Sequence, residues 1–565
     1  MALTAAGLRW LDRRIARRAP LFDGPAPPLD GGLGVLPFYE PIGRLGGDVN
    51  PASPGELPQE PATVAWCDLR PDEVGAASRR VHRHGWLARA CWRGDLRPAL
   101  VDLEAWLSAD RPGYGPGWVH TTDLVARLYH WSFVLALAGA RAETPLRRAL
   151  AGSVAVHLDH LDARLCALAP GDPRRSLQLM GLAVGSLAWP VLSGSSARAS
   201  RALSGLPAAL EALLDDDGAP RGGGLSLLPE LLTHGLCLSA LGQANRAPLP
   251  RAAVSRLRSA GYLLGAMLGP DGRLPGSSDG LPEPLLPLND GPAAAAVHNA
   301  ALSFGWSEGA ERADAGALAW SLTGQAEATP SSVPAQGETR SLRAFRASGV
   351  VLGLSDVNRF PSRLIFQLRA GTGVPGDGPV VCGLNWTVGE TAILAAPHPA
   401  RLAPGLGGNV AHLVPAEPPV HAELLRSRHT ERALIIQARA WGGGGGMHHR
   451  DIELRGHRLT IEDRFDSPRG GLRASLRAPR VRVGWQLGPA WHLEADGMAL
   501  VGHAGGQQLR IDLDPSLIWT QVRAGRSPGG GWVAGPHGEP AAALLLWGEG
   551  PLLNGAAIRC SFSLS

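Results

Sequence analysis

Residues 121–140 read TTDLVARLYHWSFVLALAGA, and the period of this stretch decides the fold class of the first half of the chain. Leu124, Leu128, Trp131 and Leu135 recur at spacings of four, three and four, which draws a single apolar stripe along a helix. Thr121, Thr122 and Asp123 form its N-cap region. Outward from this segment the same period continues between Gly and Pro punctuation. It predicts helices over 72–90, 98–108, 121–140, 144–168, 173–192, 196–214, 226–243, 250–268, 292–304 and 309–323. Helices of this length joined by short loops pack as antiparallel pairs in a bundle, a solenoid or a closed ring. No repeat of fixed length is visible, which disfavours a regular solenoid.

Past Ala326–Gly337 the period falls to two. Gly349–Leu354, Arg363–Arg369, Arg432–Ala440, His457–Asp463, Arg480–Gln486, Gln508–Leu513 and Ala541–Trp547 alternate or form short apolar blocks between Gly, Pro and Asp, as strands do. Segregation of helices and then strands predicts an α+β multidomain chain and argues against Rossmann and TIM architectures. The expected organisation is an irregular Pro- and Gly-rich lead-in over 1–70, a helical domain over 71–330 and a β-domain over 338–565.

Composition narrows the function. The 565 residues carry 54 basic groups, all arginine, and 50 acidic ones. A chain without lysine cannot form a lysine Schiff base or use the lysine of a phosphate-binding GxxxxGK[ST] loop. A net charge of +4, spread without long like-charge blocks, argues against nucleic-acid or membrane binding by bulk electrostatics. The six cysteines are scattered with no CxxC pair, so they read as small buried hydrophobes rather than zinc ligands or a disulfide framework. The charged start MALTAAGLRWLDRRIARR lacks the apolar run of a signal peptide, and no stretch has the apolar length of a membrane span, which predicts a cytoplasmic location.

Residues 115–131, GPGWVHTTDLVARLYHW, resemble the helix of the heparinase II/III family of polysaccharide lyases, where a Trp-bearing loop precedes Arg, three residues and Trp. RRSLQLMGLAVGSLAWP (174–190) is similar to the helix that follows. DGAPRGGGLSLLPELLTHGLCLSAL (217–241) resembles the family's Asp-Gly-Gly loop and its Pro-led helix. MHHRDIELRGHRLTIEDRF (447–465) resembles its strand pair carrying His-x-Arg and a terminal Asp. The resemblance implies an N-terminal (α/α) toroid followed by a C-terminal antiparallel β-sandwich. It also implies a uronate-containing, anionic polysaccharide or oligosaccharide as substrate and β-elimination as the reaction.

β-Elimination removes the proton at C5 of a uronate and expels the C4 oxygen. The site must therefore neutralise a carboxylate, accept one proton and donate another. On the motif-matched positions the resemblance implies Arg127, Tyr129, His130 and His234 as catalytic residues, and Trp118, His120 and Arg450 as substrate-binding ones. Several family positions differ. His130 stands where an Asn is expected, Leu177-Gln178 where an Asn-His pair is expected, and Glu230–His234 where a Tyr-His is expected. Of the family's zinc ligands, the histidine segment reads Arg359-Phe360-Pro361-Ser362, the aspartate falls near Cys382, and only His398 could serve. A lone ligand holds no structural metal, so no cofactor is expected.

Plainer readings stand beside these. Arg127 could pair with Asp123 four residues earlier. His130 could be a satisfied core histidine and Trp118 core packing. Alternation puts His448 and Arg450 on one face of a strand and His449 on the other. For the whole chain the alternatives are a non-catalytic glycan-binding or degenerate relative in cell-surface polysaccharide metabolism, and uronate epimerisation; a homo-oligomer is compatible with either. Convergence of Arg127, His130, His234 and Trp118 on one sugar unit would favour chemistry, and burial of all four between helices would count against it.

Overall fold

The structure, a computed structural model, describes residues 82–307 apart from 93–95, 110–117, 119, 139–143, 222–224, 226, 270–271, 273 and 275–292, and residues 340–565 apart from 347–348, 358–359, 369–381, 390, 396–408, 410, 415–420, 442–446, 467–479, 525–530, 535–539 and 552–556. The lead-in expected over 1–70 and the helix expected over 309–323 lie outside these residues. The chain divides into two compact units. One comprises Met1–Gly218, Leu227–Tyr262 and Pro282–Ser331, and the other Ala219–Ser226, Leu263–Leu281 and Ser332–Ser565.

Among the described residues the first half is helical. Its elements are α1 (Gly85–Trp92), α2 (Leu96–Ala109), α3 (Thr121–Ala138), α4 (Thr144–Leu165), α5 (Pro173–Ala188), α6 (Ser195–Leu213), α7 (Leu227–Ala244), α8 (Arg251–Met267) and α9 (Ala293–Ser303). Of the helix expected over 72–90, residues 72–81 lie outside the described residues; in the rest the chain turns at His84, whose φ of 64° is left-handed, into α1. In α3 the predicted stripe of Leu124, Leu128, Trp131 and Leu135 is buried, but so are the residues between them. The helix therefore lies inside the unit rather than on its surface. Burying each of these large side chains stabilises by roughly 1.5–3 kcal/mol. The cap differs in detail from the expected one: the His120 carbonyl takes the first helical bonds, and Asp123 sits in the first turn, where a negative charge suits the helix dipole. Helix α5 starts as its sequence dictates, with Asp172 accepting from the Arg174 amide at 2.9 Å ahead of Pro173.

One turn in this half tolerates only glycine. Gly218 has φ 82°, and a Cβ there would fall 2.2 Å from the Ala260 backbone nitrogen at α8. Gly218→Ala is expected to lower stability by about 2–5 kcal/mol, from left-handed strain plus overpacking against backbone that cannot yield. Chemical denaturation of the variant measures this, and a loss below about 1 kcal/mol would contradict it.

The second half is antiparallel β. β1 (Arg340–Phe345), β2 (Val350–Val357), β3 (Phe360–Gln367), β4 (Gly383–Val388) and β5 (Thr391–Leu394) form a five-stranded meander. An eight-stranded sheet runs in the order β12-β13-β14-β19-β10-β9-β8-β7. Its strands are β7 (His421–His429), β8 (Leu434–Trp441), β9 (Met447–Arg455), β10 (Arg458–Asp466), β12 (His492–Asp496), β13 (Ala499–Ala504), β14 (Gln507–Asp512) and β19 (Ala557–Leu564). A four-stranded sheet has the order β15-β18-β11-β6, from β6 (Ala411–Val414), β11 (Arg480–Gln486), β15 (Ile518–Arg523) and β18 (Leu544–Pro551); β16 (Trp532–Ala534) and β17 (Pro540–Ala542) pair separately. Alternating burial along β8, β9 and β10 puts Leu434, Ile436, Ile452, Leu454, Leu459 and Ile461 into one core with residues of the other large sheets. The outward positions carry exposed ion pairs such as Arg439–Glu423, which add little to stability. The cysteine expectation needs one correction. Cys237, Cys382 and Cys560 are buried free thiols, but Cys166, at the exposed end of α4, is not buried.

Candidate functional site

Helix α3 brings Arg127, Tyr129, His130 and Trp131 into the middle of the helical unit, all at most 1 % exposed. Four other elements close around them. The segment His82–His84, just ahead of α1, covers one side; α2 contributes Trp106, α4 contributes His157 and His160, and α7 contributes Glu230 and His234.

Arg127 is the centre of this cluster. Its Nε donates to His157 Nε2 at 2.8 Å and its Nη1 to the His82 carbonyl at 2.8 Å. The indoles of Trp106 and Trp118 lie with their centroids 5.3 and 5.5 Å from the guanidinium carbon. A guanidinium is weakly hydrated and its charge is attracted to an indole face, so this is an environment an arginine accepts and a lysine would not. Because His157 Nε2 accepts from Arg127 and its Nδ1 meets the Ser153 carbonyl at 2.7 Å, the ring is neutral with its proton on Nδ1. Burial above all, then the Arg127 charge, holds His157 well below the ordinary imidazole range.

Asp123, the local partner the sequence offered to Arg127, lies close to Arg83. Arg83 Nη1 lies 3.6 Å from Asp123 and its Nη2 3.1 Å from Glu230, so one guanidinium joins α3 and α7. The Arg83 carbonyl meets His130 Nδ1 at 2.5 Å; a carbonyl can only accept, so Nδ1 carries the His130 proton. His84 Nδ1 accepts from Trp131 Nε1 at 2.8 Å. His234 stacks edge-on against Tyr129, with centroids 4.5 Å apart, and the Tyr129 hydroxyl donates to the His234 carbonyl at 3.3 Å. Burial first, then Arg83 and His130, keeps His234 neutral, and burial holds the Tyr129 phenol protonated.

The structure thus brings Arg127 together with Trp118 and Tyr129 together with His234, with His130 on the same helix against the Arg83 carbonyl, all of them buried. Trp118, expected as a stacking surface, packs 4.4 Å from His157 and 4.7 Å from His160, and its carbonyl accepts from Arg164. His120 is exposed at the start of α3. Arg450 lies in the other unit at 0 % exposure. Its Nε and Nη2 form a bidentate pair with Asp463 at 2.7 and 2.9 Å, and its Nη1 donates to the carbonyls of Cys382 and Asn409. His448 shares its strand face, as alternation predicts, and meets the same carboxylate at 2.7 Å.

Sequence reasoning missed His82, Arg83, His84, Trp106, His157 and His160. Two histidines three apart in VAVHLDHLDAR share one face of α4, and that spacing was the available signal. His398 lies outside the described residues. Where the resemblance implies a zinc-binding aspartate, Cys382 stands nearby, and the Arg450 guanidinium, a cation, is seated against its carbonyl, a setting that does not fit a dication held by an aspartate. Among the described residues no group of three or more His, Cys, Asp or Glu is disposed to hold a metal ion, and no described helix is long and apolar enough to cross a membrane.

No protein-family model matches the chain, and no curated protein matches it. Solved structures do. A heparinase III structure aligns with 99 % of this chain and 89 % of its own, at TM-score 0.66 and 11 % identity. The heparan sulfate lyase of Pedobacter heparinus aligns over 87 % of this chain and 77 % of its own, at TM-score 0.54 and 12 % identity. A chondroitin AC lyase of Streptomyces coelicolor A3, solved with chondroitin sulphate, aligns over 99 % and 83 %, at TM-score 0.53 and 14 % identity. The chain has the helical-then-β fold of the heparinase III-like polysaccharide lyases.

Proposed function

We propose that this protein acts on uronate-containing polysaccharide or oligosaccharide by β-elimination, using the Arg127 cluster and no metal. The observation that carries the reading is a buried guanidinium bonded to a neutral imidazole, with a protonated phenol two residues along the same helix, on a fold shared along nearly the whole chain with lyases of anionic glycans. In this reading the helices close as an (α/α) toroid and the sheets stack as an antiparallel sandwich. Arg127 neutralises the uronate carboxylate, which makes the C5 proton acidic enough to be removed. His130, one turn along the same helix, helps hold the sugar acid. Tyr129, braced against His234, gives its hydroxyl proton to the departing C4 oxygen. His120 and Trp118 contact neighbouring sugar atoms, and Arg450 serves the β-fold.

Purified protein is tested on heparan, chondroitin, hyaluronan and alginate oligosaccharides for growth of the ultraviolet absorbance of an unsaturated uronate. Growth is expected with at least one glycan, and Arg127→Ala is expected to reduce it by about 10²–10³-fold, as loss of a preorganised charge-stabilising group does. A flat trace with folded protein across all four glycans overturns the lyase reading.

A second reading is favoured by one observation: Arg127, Tyr129, His130 and His234 are each no more than 1 % exposed, so a sugar reaches them only if the site opens. A non-catalytic glycan-binding relative needs no such opening. In that case the same panel gives binding by calorimetry without any absorbance change, and the binding survives Arg127→Ala.

A further inference from the structure

We propose that His82, ahead of α1 and matched to no motif of the sequence, is the group that accepts the C5 proton. This rests on the β-elimination reading above. The carbon that loses its proton bears the carboxylate, so the acceptor must stand within one bond's reach of whatever grips that carboxylate. Arg127 grips it in this reading, and Arg127 Nη1 donates to the His82 carbonyl itself. The backbone of His82 is thereby fixed to the guanidinium, and its imidazole lies close enough to feel that charge.

The hydrogen bonds of the other rings narrow the choice. His157 uses Nε2 to accept from Arg127 and Nδ1 to meet the Ser153 carbonyl, so neither nitrogen can take a proton without breaking the bond that orients Arg127. His84 has its lone pair on Nδ1 engaged by the Trp131 indole N–H, which leaves Nε2 as the protonated nitrogen. His234 faces Tyr129, on the side assigned to the leaving oxygen. His130 is tied through Nδ1 to the Arg83 carbonyl rather than to Arg127. His160 packs against Trp118, with centroids 4.7 Å apart. What sets His82 apart is that Arg127 holds its own backbone carbonyl; its ring is 4 % exposed, and neither Nδ1 nor Nε2 has a hydrogen-bond partner among the described residues. A buried imidazole with both nitrogens open can receive a proton on one and release it from the other.

The step balances as follows. A lone pair on one His82 nitrogen takes the C5 proton. The C–H electron pair becomes the C4=C5 double bond while the C4–O bond breaks with its electrons. The departing oxygen takes the Tyr129 hydroxyl proton, and the proton on His82 returns through solvent to the phenolate. No oxidant, reductant or co-reactant is consumed.

The test uses the full chain and whichever panel oligosaccharide the wild type cleaves, with His82→Ala, His82→Asn and Arg127→Ala compared by initial rate, by oligosaccharide affinity and by thermal melting. His82→Ala keeps the backbone carbonyl that holds Arg127. It is expected to lose about 10²–10⁴-fold in rate, to bind the oligosaccharide within threefold of wild type, and to regain rate when free imidazole is added, which a packing role would not allow. His82→Asn, a polar replacement for the case in which alanine unfolds, is expected to lose rate to the same extent. If either folded variant stays within threefold of the wild-type rate while Arg127→Ala is inactive, the lyase reading stands and His82 is not the acceptor. Loss of rate with no recovery in imidazole also overturns the assignment. If the wild type cleaves nothing, the lyase reading fails and takes this assignment with it.

Discussion

Lowering the pH from 7 to about 4.5 is expected to unfold the helical unit, because its centre is built from imidazoles that must stay neutral. His82 is held down to about 4, by burial first and the Arg127 charge second. His84, His157 and His234 are held well below the ordinary value, each by burial first and then by a neighbouring arginine. In the unfolded chain all four titrate near 6.5. Between that pH and the folded values the unfolded state binds protons that the folded state refuses, so stability is complete above about 6.5 and is lost as the pH falls. The slope is up to about 1.4 kcal/mol per pH unit for each fully affected histidine, and for His82 alone the loss reaches about 3 kcal/mol at most. Four such groups together match the roughly 5–15 kcal/mol of a whole domain.

Tryptophan emission followed against pH reads this directly, since Trp106, Trp118 and Trp131 stand in the cluster. A cooperative transition between about pH 4.5 and 6 is expected. A double variant, His84→Gln with His234→Gln, removes two of the protonation sites and is expected to move the midpoint to lower pH relative to the starting stability of that variant. An emission spectrum unchanged down to pH 4 would show that the folded chain tolerates these charges, and the account of the cluster as an assembly of neutral rings would fail.

The period of the apolar residues made the helices and strands legible. Residues 121–140 became α3 within two residues, and Arg480–Gln486 became β11 with the same bounds. Period is a local property, and so it predicts elements well. It also placed His448 and Arg450 on one face, where Asp463 on the neighbouring strand meets both. What it could not supply was the set of partners brought from a distance. Asp123 and Arg127 have the helical spacing of an ion pair, but nothing in that spacing announces that Arg83, forty residues upstream, also lies 3.6 Å from Asp123. His157 reaches Arg127 across thirty residues and His234 reaches Tyr129 across more than a hundred. Such contacts depend on which helices pack together. A histidine in HLDH gives no sign, by itself, of whether it faces solvent or an arginine.

The second large effect is expected at Asp463 in the β-unit. Its carboxylate receives both Arg450 nitrogens and His448 Nε2, with all three side chains essentially excluded from water. Burial alone would raise the Asp463 carboxyl, but the Arg450 charge and the His448 contact outweigh it and hold the group well below the usual carboxylate range. Asp463→Asn leaves a guanidinium buried at 0 % exposure without its counter-charge, which costs about 3–5 kcal/mol. Because the folded value is depressed, this contribution is complete above the unfolded carboxylate value near 3.9 and is lost progressively as the pH falls from there through the lower folded value. The gap between wild type and Asp463→Asn is therefore expected to be full at pH 7 and to shrink below about pH 4. Arg450→Met alone is expected to destabilise by a similar amount, since it strands the carboxylate and two carbonyls. The double change Arg450→Met with Asp463→Leu is expected to cost less than the sum of the singles, because neither charge is then buried alone. Denaturant midpoints of the four proteins decide it. Additive losses, or a single-variant loss below about 1 kcal/mol, would mean that the pair does not hold the strands together as its geometry implies. Strong coupling would establish Arg450 as the internal cation of the β-unit, bonded to the Cys382 and Asn409 carbonyls as well as to Asp463.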